Sequence, residues 1–384
     1  MTDGWERLDA LRRRSRHTVV GLISGTSADG IDAACVDLED RPGGVSMSLR
    51  AFVCVPYSRP LAERVLRAGD AEASELADLD AELGEAFAMA FGAVIEATDV
   101  IPELIGSHGQ TVFHRPRAGS VPGVSLQLGR SAVIAERTGL PVVSDFRARD
   151  LAAGGEGAPL VPRVDQLLLA SKSERRVALN LGGIANLTAL VDGDDRPVAF
   201  DSGPANALLD ALVRISTDGA ESYDADGHRA ARGAVDHVLL DQLMSHPFHG
   251  LAPPRSADRD TFGAPLARRL IETGRGLDDL LATAVAYTAT SIQRAVAELP
   301  TRYHPLDRVI ISGGGVANPV LVASLEQALA PIPVERTDAH GLPSDAKEAI
   351  AFAVLARETL LGRPGNVPSA TGASGPRVLG TISL

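Results

Sequence analysis

Two cysteines, Cys35 and Cys54, are all that the 384 residues contain, and each lies inside an apolar, strand-like run. This rules out a disulfide framework and any clustered metal-ligand spacing, and it implies a reducing compartment. A basic block is also missing. With a formal net charge of −12 the chain lacks the concentrated Lys/Arg footprint that nucleic acid requires, so no nucleic-acid partner is expected. No segment reaches the roughly 18 apolar residues needed to span a bilayer, so no membrane partner is expected either. The cluster Arg12, Arg13, Arg14 and Arg16 precedes only a short apolar stretch, Thr18 to Ile23, and reads as a solvated leader to a first strand. These absences point to a cytoplasmic protein acting on small molecules. Anionic ligands stay open, because backbone N–H groups and a bound cation can hold phosphates in an acidic protein.

What is present is a 45% hydrophobic chain, long enough for two lobes of one enzyme-sized α/β protein. From Thr18 a strand (TVVGLIS), a turn (GTSADG) and a returning strand (IDAACVDL) spell a hairpin. The pattern recurs at Val177 to Val191, where VALNLGG turns on Gly182-Gly183 and returns as IANLTALV, as a duplicated architecture would produce. Between the hairpins lie an Ala/Leu/Glu-rich helical stretch over 71–97 and the strand LIGSHGQTVFH. The Gly/Pro-rich segment LAAGGEGAPLVP is taken as the crossing between lobes. Later come an amphipathic helix over 277–299, the buried strand RVIISGGG, a helix opening on Pro319, and the helix DAKEAIAFAVLARETLLG. The expected lobes are residues 1–150, completed by the C-terminal segment 364–384, and residues 151–363.

Three Gly-bearing turns at strand ends carry the candidate chemistry. In Ser24-Gly25-Thr26-Ser27-Ala28-Asp29-Gly30-Ile31-Asp32, convergent N–H and O–H groups could meet phosphate oxygens, and Asp29 and Asp32 could hold a hydrated Mg²⁺. The alternative is that Asp29-Gly30 only supplies the positive φ angles of a type I′ hairpin. In Phe200-Asp201-Ser202-Gly203-Pro204-Ala205-Asn206 a strand meets a helix, and Asp201 could act as a base or a metal ligand, or merely cap the helix. In Ser312-Gly313-Gly314-Gly315-Val316-Ala317-Asn318 three glycines allow close approach of a nucleotide, or only tight strand–helix packing. His108 and His114 lack a third ligand nearby in sequence, so zinc is not expected. Asp145, Arg147 and Asp150, ahead of Gly154-Gly155-Glu156-Gly157-Ala158-Pro159, could bind a sugar's hydroxyls and amide or form a surface ion-pair cluster.

Taken in order, these segments resemble the 1,6-anhydro-N-acetylmuramic acid kinase family from residue 19 to the C-terminus. The family's SGTSxDGID corresponds to Ser24–Asp32, GSHGQT to Gly106–Thr111, and DFRxxD…GGQGAPLVP to Asp145–Pro162. NxGG…N corresponds to Asn180–Asn186, FDTGPGN to Phe200–Asn206, GGGxxN to Gly313–Asn318, and GNxPxxTGAxGPRxLG to Gly365–Gly380. The resemblance implies an actin/hexokinase-like fold of two RNase H-like lobes, each a mixed sheet flanked by helices, with ATP in the cleft between them. It implies a reaction in which the 1,6-anhydro bond is hydrolysed as the 6-oxygen is phosphorylated, giving N-acetylmuramic acid 6-phosphate.

By the same resemblance Asp201 is the general base and Glu348 an active-site carboxylate whose role is open. ATP and Mg²⁺ are the expected cofactors. Residues 24–31, Gly203, Gly313, Gly314, Gly315 and Asn318 fall to the nucleotide. His108, Gln110, Arg147, Asp150, Gly155 and Pro159 fall to the amino sugar, the expected partner, and a homodimer is left open. Three departures stand out: DSGPAN in place of DTGPGN, Glu156 in place of Gln, and Pro254–Phe262 (PRSADRDTF) in place of PKSTGREXF. The nearest rival activity is an ordinary kinase of an open amino sugar, and a rival of another class is a sugar-independent ATPase of the same superfamily.

Overall fold

The computed structural model describes residues 4–25, 27–115, 117, 121–194, 197–253, 255–257 and 259–384. The chain divides into two compact units, Met1–Leu168 with Gly341–Leu384, and Leu169–His340. The first boundary thus falls beyond the expected 150. The C-terminal contribution to the first unit begins at 341, so it takes in the helix Lys347–Leu360, which the sequence reading had assigned to the second lobe.

In the first unit β1 (Arg16–Ser24), β2 (Gly30–Arg41) and β3 (Gly44–Pro56) form an antiparallel meander. They are followed by β4 (Leu104–Arg115), β5 (Val124–Leu128) and β6 (Val142–Ser144). β4 lies parallel to β1, and β6 lies parallel to β4. The order across the sheet is β3-β2-β1-β4-β6, extended by the C-terminal strand Thr381–Ser383, with β5 paired to β4. In the second unit the strands are β7 (Arg176–Leu181), β8 (Ile184–Leu190), β9 (Ala199–Pro204), β10 (Arg308–Ser312) and β11 (Val334–Arg336). Their order is β9-β8-β7-β10-β11, again with the first three antiparallel and the rest parallel. Both sheets therefore repeat one RNase H-like pattern, the duplication that the two hairpin signals predict. A mixed α/β, actin/hexokinase-like class follows.

The central strands β1 and β2 and the first half of β4 are buried because helices cover both faces of the first sheet there, whereas β3 and β5 are largely open to solvent. Val20 and Leu22 of β1 join Ile31 and Ala33 in a core with Leu79, Leu83, Phe87, Ala90 and Val94 of the helix Ala73–Glu96. On the other face lies Lys347–Leu360, and its approach depends on two glycines. A Cβ at Gly21 would overlap the carbonyl oxygen of Ala349, and one at Gly106 that of Phe352. The helix backbone therefore rests directly on β1 and β4. Lys347 adds a buried ion pair to Asp165 at 2.8 Å. In the second unit the helix Leu277–Ala297 contributes Leu281, Val285, Tyr287 and Ile292 to a core with Val177, Leu179, Leu187 and Phe200.

Candidate functional site

In the first unit the turn between β1 and β2 is closed by Ala28 N–H donating to Gly25 O at 3.1 Å. Ala28, with φ +52°, is the turn residue in the left-handed region, so the type I′ angles that the Asp29-Gly30 pair could have supplied do not form there. Gly30 is needed for another reason: a Cβ would come within 2.6 Å of Val55 O on β3. Ser24 is buried, its hydroxyl 2.6 Å from Gln110 Oε1 and 2.7 Å from Gly30 O, and Gln110 Nε2 donates to Gly25 O at 3.1 Å. Ser24 and Gln110 thus brace the turn. Ile31 and Ala28 belong to the core, while Ser27 and Asp29 are exposed at the rim and Gly25 is half-buried. Thr26 lies outside the described residues.

Beside this turn stand carboxylates that disturb one another. Burial, with Asp29 and Asp345 nearby, pushes the Asp32 carboxyl above its ordinary value, against a hydrogen bond from Cys54. Glu348, in the first turn of the late helix, is pushed up by desolvation and then by Asp32, with Lys347 and Arg147 opposing. Among the described residues no group of three or more His, Cys, Asp and Glu is arranged to hold a metal ion by itself.

The second cluster of this unit is built around the middle of β4. His108 is buried, its ring 4.4 Å from that of Phe352. Arg147 Nε donates to His108 Nε2 at 3.0 Å, which leaves His108 Nδ1 to donate to Gly109 O at 3.1 Å. Desolvation and the guanidinium bring the His108 pKa down to about 3, so the ring is neutral. Arg147 also donates to Gly157 O at 3.0 Å, and burial lowers its own pKa to about 10.

Asp150 is fully buried. Its carboxylate accepts from Gly157 N (2.9 Å), Asn366 Nδ2 (2.7 Å) and Thr371 Oγ1 (2.7 Å). A Cβ at Gly155 would overlap Asp150 Oδ2, and Glu156 N donates to Thr371 O at 2.8 Å. Asp150 therefore ties the loop before Pro159, which follows a cis bond, to the C-terminal segment. Nearby, a cavity of about 500 Å³ is lined by Ser107, His108, Gln127 and Asp145.

In the second unit Asp201 sits in the middle of β9, half-buried and paired with Asn186 of β8, five residues ahead of the helix Asn206–Ser216. Ala257 N donates to its Oδ2 at 2.8 Å. The helix-cap alternative does not hold for its side chain: the N-cap is Ala205, which has no side-chain cap bond. Ser202 is buried and donates to Ala185 O at 3.1 Å, and Ala205, with φ −137°, takes its methyl without entering the left-handed region. Gly203 (φ +150°) lies against Ser291 and His249.

The three glycines after β10 differ in what they do. Gly313 has φ +86°, and a Cβ there would lie 2.5 Å from Asn180 Oδ1. At Gly315 it would lie 2.7 Å from Leu181 Cβ, whereas at Gly314 its nearest neighbour is Asn206 Nδ2 at 3.7 Å. Gly314 is thus the glycine open to a ligand. It lines a cavity of about 390 Å³ with Asn206, Asp210, Tyr223, Asp226 and Asn318. Asn318 also caps the following helix, accepting from Val320 N at 3.1 Å and Leu321 N at 3.2 Å. Tyr223, Asp226 and Asp210 were not found from sequence, since no motif marks them and they lie about 90 or more residues before Gly314.

A family model for anhydro-N-acetylmuramic acid kinase matches residues 17–384. A protein of that name from Salinibacter ruber is 44% identical over 99% of this chain and 99% of its own. Another, from Streptomyces coelicolor, is 44% identical over 95% and 93%. A third, from Caldanaerobacter subterraneus, is 40% identical over 99% and 100%. Among solved structures, the 2-hydroxyglutaryl-CoA dehydratase component A of Acidaminococcus fermentans covers 90% of this chain and 99% of its own at 12% identity, with a TM-score of 0.44. A glucokinase of the ROK family from Streptomyces griseus covers 89% and 99% at 14% identity, with a TM-score of 0.37.

Proposed function

The chain belongs to the anhydro-N-acetylmuramic acid kinase family, and from that premise we propose how its residues divide the work of an ATP-dependent kinase acting on 1,6-anhydro-N-acetylmuramic acid. Water attacks the anomeric carbon, the bond from that carbon to the 6-oxygen breaks, and the released 6-oxygen takes the γ-phosphoryl group. ADP leaves, and N-acetylmuramic acid 6-phosphate is formed in the cytoplasm. Asp201 accepts the proton of the attacking water. The observation that carries this role is its half-buried carboxylate within β9, with one oxygen oriented by the Ala257 N–H. Orientation of this kind is what a general base needs before its basicity matters.

On the nucleotide side, the open face at Gly314 and the cavity with Asn318 and Tyr223 suit the nucleoside, and an aromatic side chain offers a face for a base. In the first unit, burial first and neighbouring carboxylates after it push up Asp32 and Glu348, and a divalent cation would favour their charged forms. Asp29 and Asp32 supply too few ligands for a protein cage, which suits Mg²⁺, since that ion takes one or two carboxylates and fills its shell with water and phosphate oxygens. When bound it supplies charge neutralisation for phosphoryl transfer. Arg147, held by His108 and Gly157, presents a fixed cation to the sugar, and Glu348 lies close enough to sense it. Asp150 and Gly155 shape the loop behind them.

Turnover in ¹⁸O-labelled water, with Asp201→Asn alongside, tests the reading. The label is expected at the anomeric carbon of the product, and the variant is expected to lose about 10²–10⁴-fold in kcat with nucleotide binding intact. Absence of label would leave an ordinary kinase of an open amino sugar, and turnover of the variant within about threefold of wild type would remove Asp201 from the role of base.

A further inference from the structure

The segment Pro254–Phe262 departs from the family pattern, and its described residues reach the proposed base. Arg255 has a side chain only 1% exposed. Its Nε donates to Asp201 O at 3.2 Å, its Nη1 donates to Leu251 O at 2.6 Å, and Nη1 pairs with Glu298 Oε2 at 2.8 Å. The guanidinium carbon lies 5.1 Å from the ring centre of Phe200 and 5.3 Å from that of Phe248. One buried cation thus joins β9, the turn ending at Leu251 and the C-terminal end of the helix Leu277–Ala297. Among the described residues its Nη2 is buried without a hydrogen-bond partner, a cost that an apolar side chain of similar length would avoid.

The same stretch grips Asp201 through its backbone. Asp201 N donates to Arg255 O at 3.0 Å, and Ala257 N donates to Asp201 Oδ2 at 2.8 Å. The Ala257 N–H thus holds one carboxylate oxygen, and the stretch that carries it is anchored through the Arg255 side chain.

We propose that Arg255 is a positioning residue for the hydrolytic half of the reaction: without touching substrate, it locks the 255–257 backbone so that the Ala257 N–H holds one oxygen of Asp201 in place. The proposal rests on Asp201 being the base. Misaiming a base costs transition-state stabilisation and little ground-state binding, so the loss belongs in kcat.

The experiment measures kcat and both KM values for Arg255→Met, Arg255→Lys, Asp201→Asn and the Arg255→Met/Asp201→Asn double variant. Arg255→Met is expected to lose at least about tenfold in kcat with both KM values within about threefold, and Arg255→Lys to recover part of that loss. In the Asp201→Asn background, Arg255→Met is expected to cost less than about twofold more, because the two act through one group. An equal loss in both backgrounds, or a loss confined to KM, overturns the proposal. Should Arg255→Met fail to fold by circular dichroism, Ala257→Pro, itself checked for folding, carries the test by deleting the N–H while also fixing φ at 257, and unchanged kcat there overturns the proposal too. Near-wild-type turnover of Asp201→Asn is a different failure: it removes the base reading itself, and this proposal with it.

Discussion

At the scale of single residues, the three glycines after β10 show that one motif holds unlike requirements. Gly313 is demanded by its positive φ, Gly315 by the neighbouring Leu181, and Gly314 by neither. A branched side chain at Gly314 therefore projects into the cavity shared with Asn318 without straining the fold. Gly314→Val is expected to raise the dissociation constant for ATP by tenfold or more while leaving the thermal midpoint within a degree or two of wild type. Gly313→Val is expected to lower that midpoint clearly, since a β-branched residue is forced into the left-handed region. Nucleotide titration and thermal melts of both variants provide the check, and ATP affinity unchanged in Gly314→Val would detach this cavity from the nucleotide.

At the scale of elements, the late helix Lys347–Leu360 is the part on which the first unit's site depends. It carries Glu348, and it lies on β1 and β4 only because Gly21 and Gly106 lack side chains. A methyl at Gly106 would overlap Phe352 O and press on Ala356, so the helix must shift outward. Gly106→Ala is expected to cost about 1–3 kcal/mol of stability, the usual range for overpacking. It is also expected to lower kcat, because the shift carries Glu348 with it. A urea midpoint within error of wild type would show that the helix yields without cost. The carboxylates near its first turn explain why such displacement matters: Glu348 is raised by burial and then by Asp32, and both causes change with the position of the helix.

At the scale of the whole molecule, buried histidines in both units weaken the fold towards acid, in the same direction as paired carboxylates such as Asp40 and Glu174, which are held down to about 2. Burial holds His108 down to about 3 and His249 to about 4, and it lowers His17 as well. A histidine depressed in the folded state takes its proton in the unfolded chain first, so its effect is absent above about pH 6.5. Stability is then lost as pH falls from there towards the folded value. Asp32, Glu348 and Glu358, all raised, work in the opposite direction at lower pH. Comparing wild type with His108→Gln isolates one group: between about pH 6 and pH 4 the slope of stability against pH is expected to fall by one proton's worth, roughly 1.4 kcal/mol per pH unit. Urea unfolding across that range measures it, and parallel curves for the two proteins would show that His108 titrates normally in the fold.

Much of this protein was legible in its order of residues. Hairpin signals, apolar runs and the Pro319 helix start are local, set by turn chemistry and side-chain period, and so both openings of the duplicated pattern could be read directly. The motif residues were likewise visible, since Gly-bearing turns at strand ends are a local feature. Other properties depend on what meets across long stretches of chain. The placement of residues 341–363 was missed because an apolar helix looks the same whichever sheet it covers, and only the gaps at Gly21 and Gly106 select β1 and β4. The internal use of Asp150 could not be read because two of its three donors, Asn366 and Thr371, lie more than 200 residues away. Arg255 looked like part of an altered loop. Its burial between Phe200, Phe248 and Glu298, which ties that loop to Asp201, exists only once three distant segments have packed together.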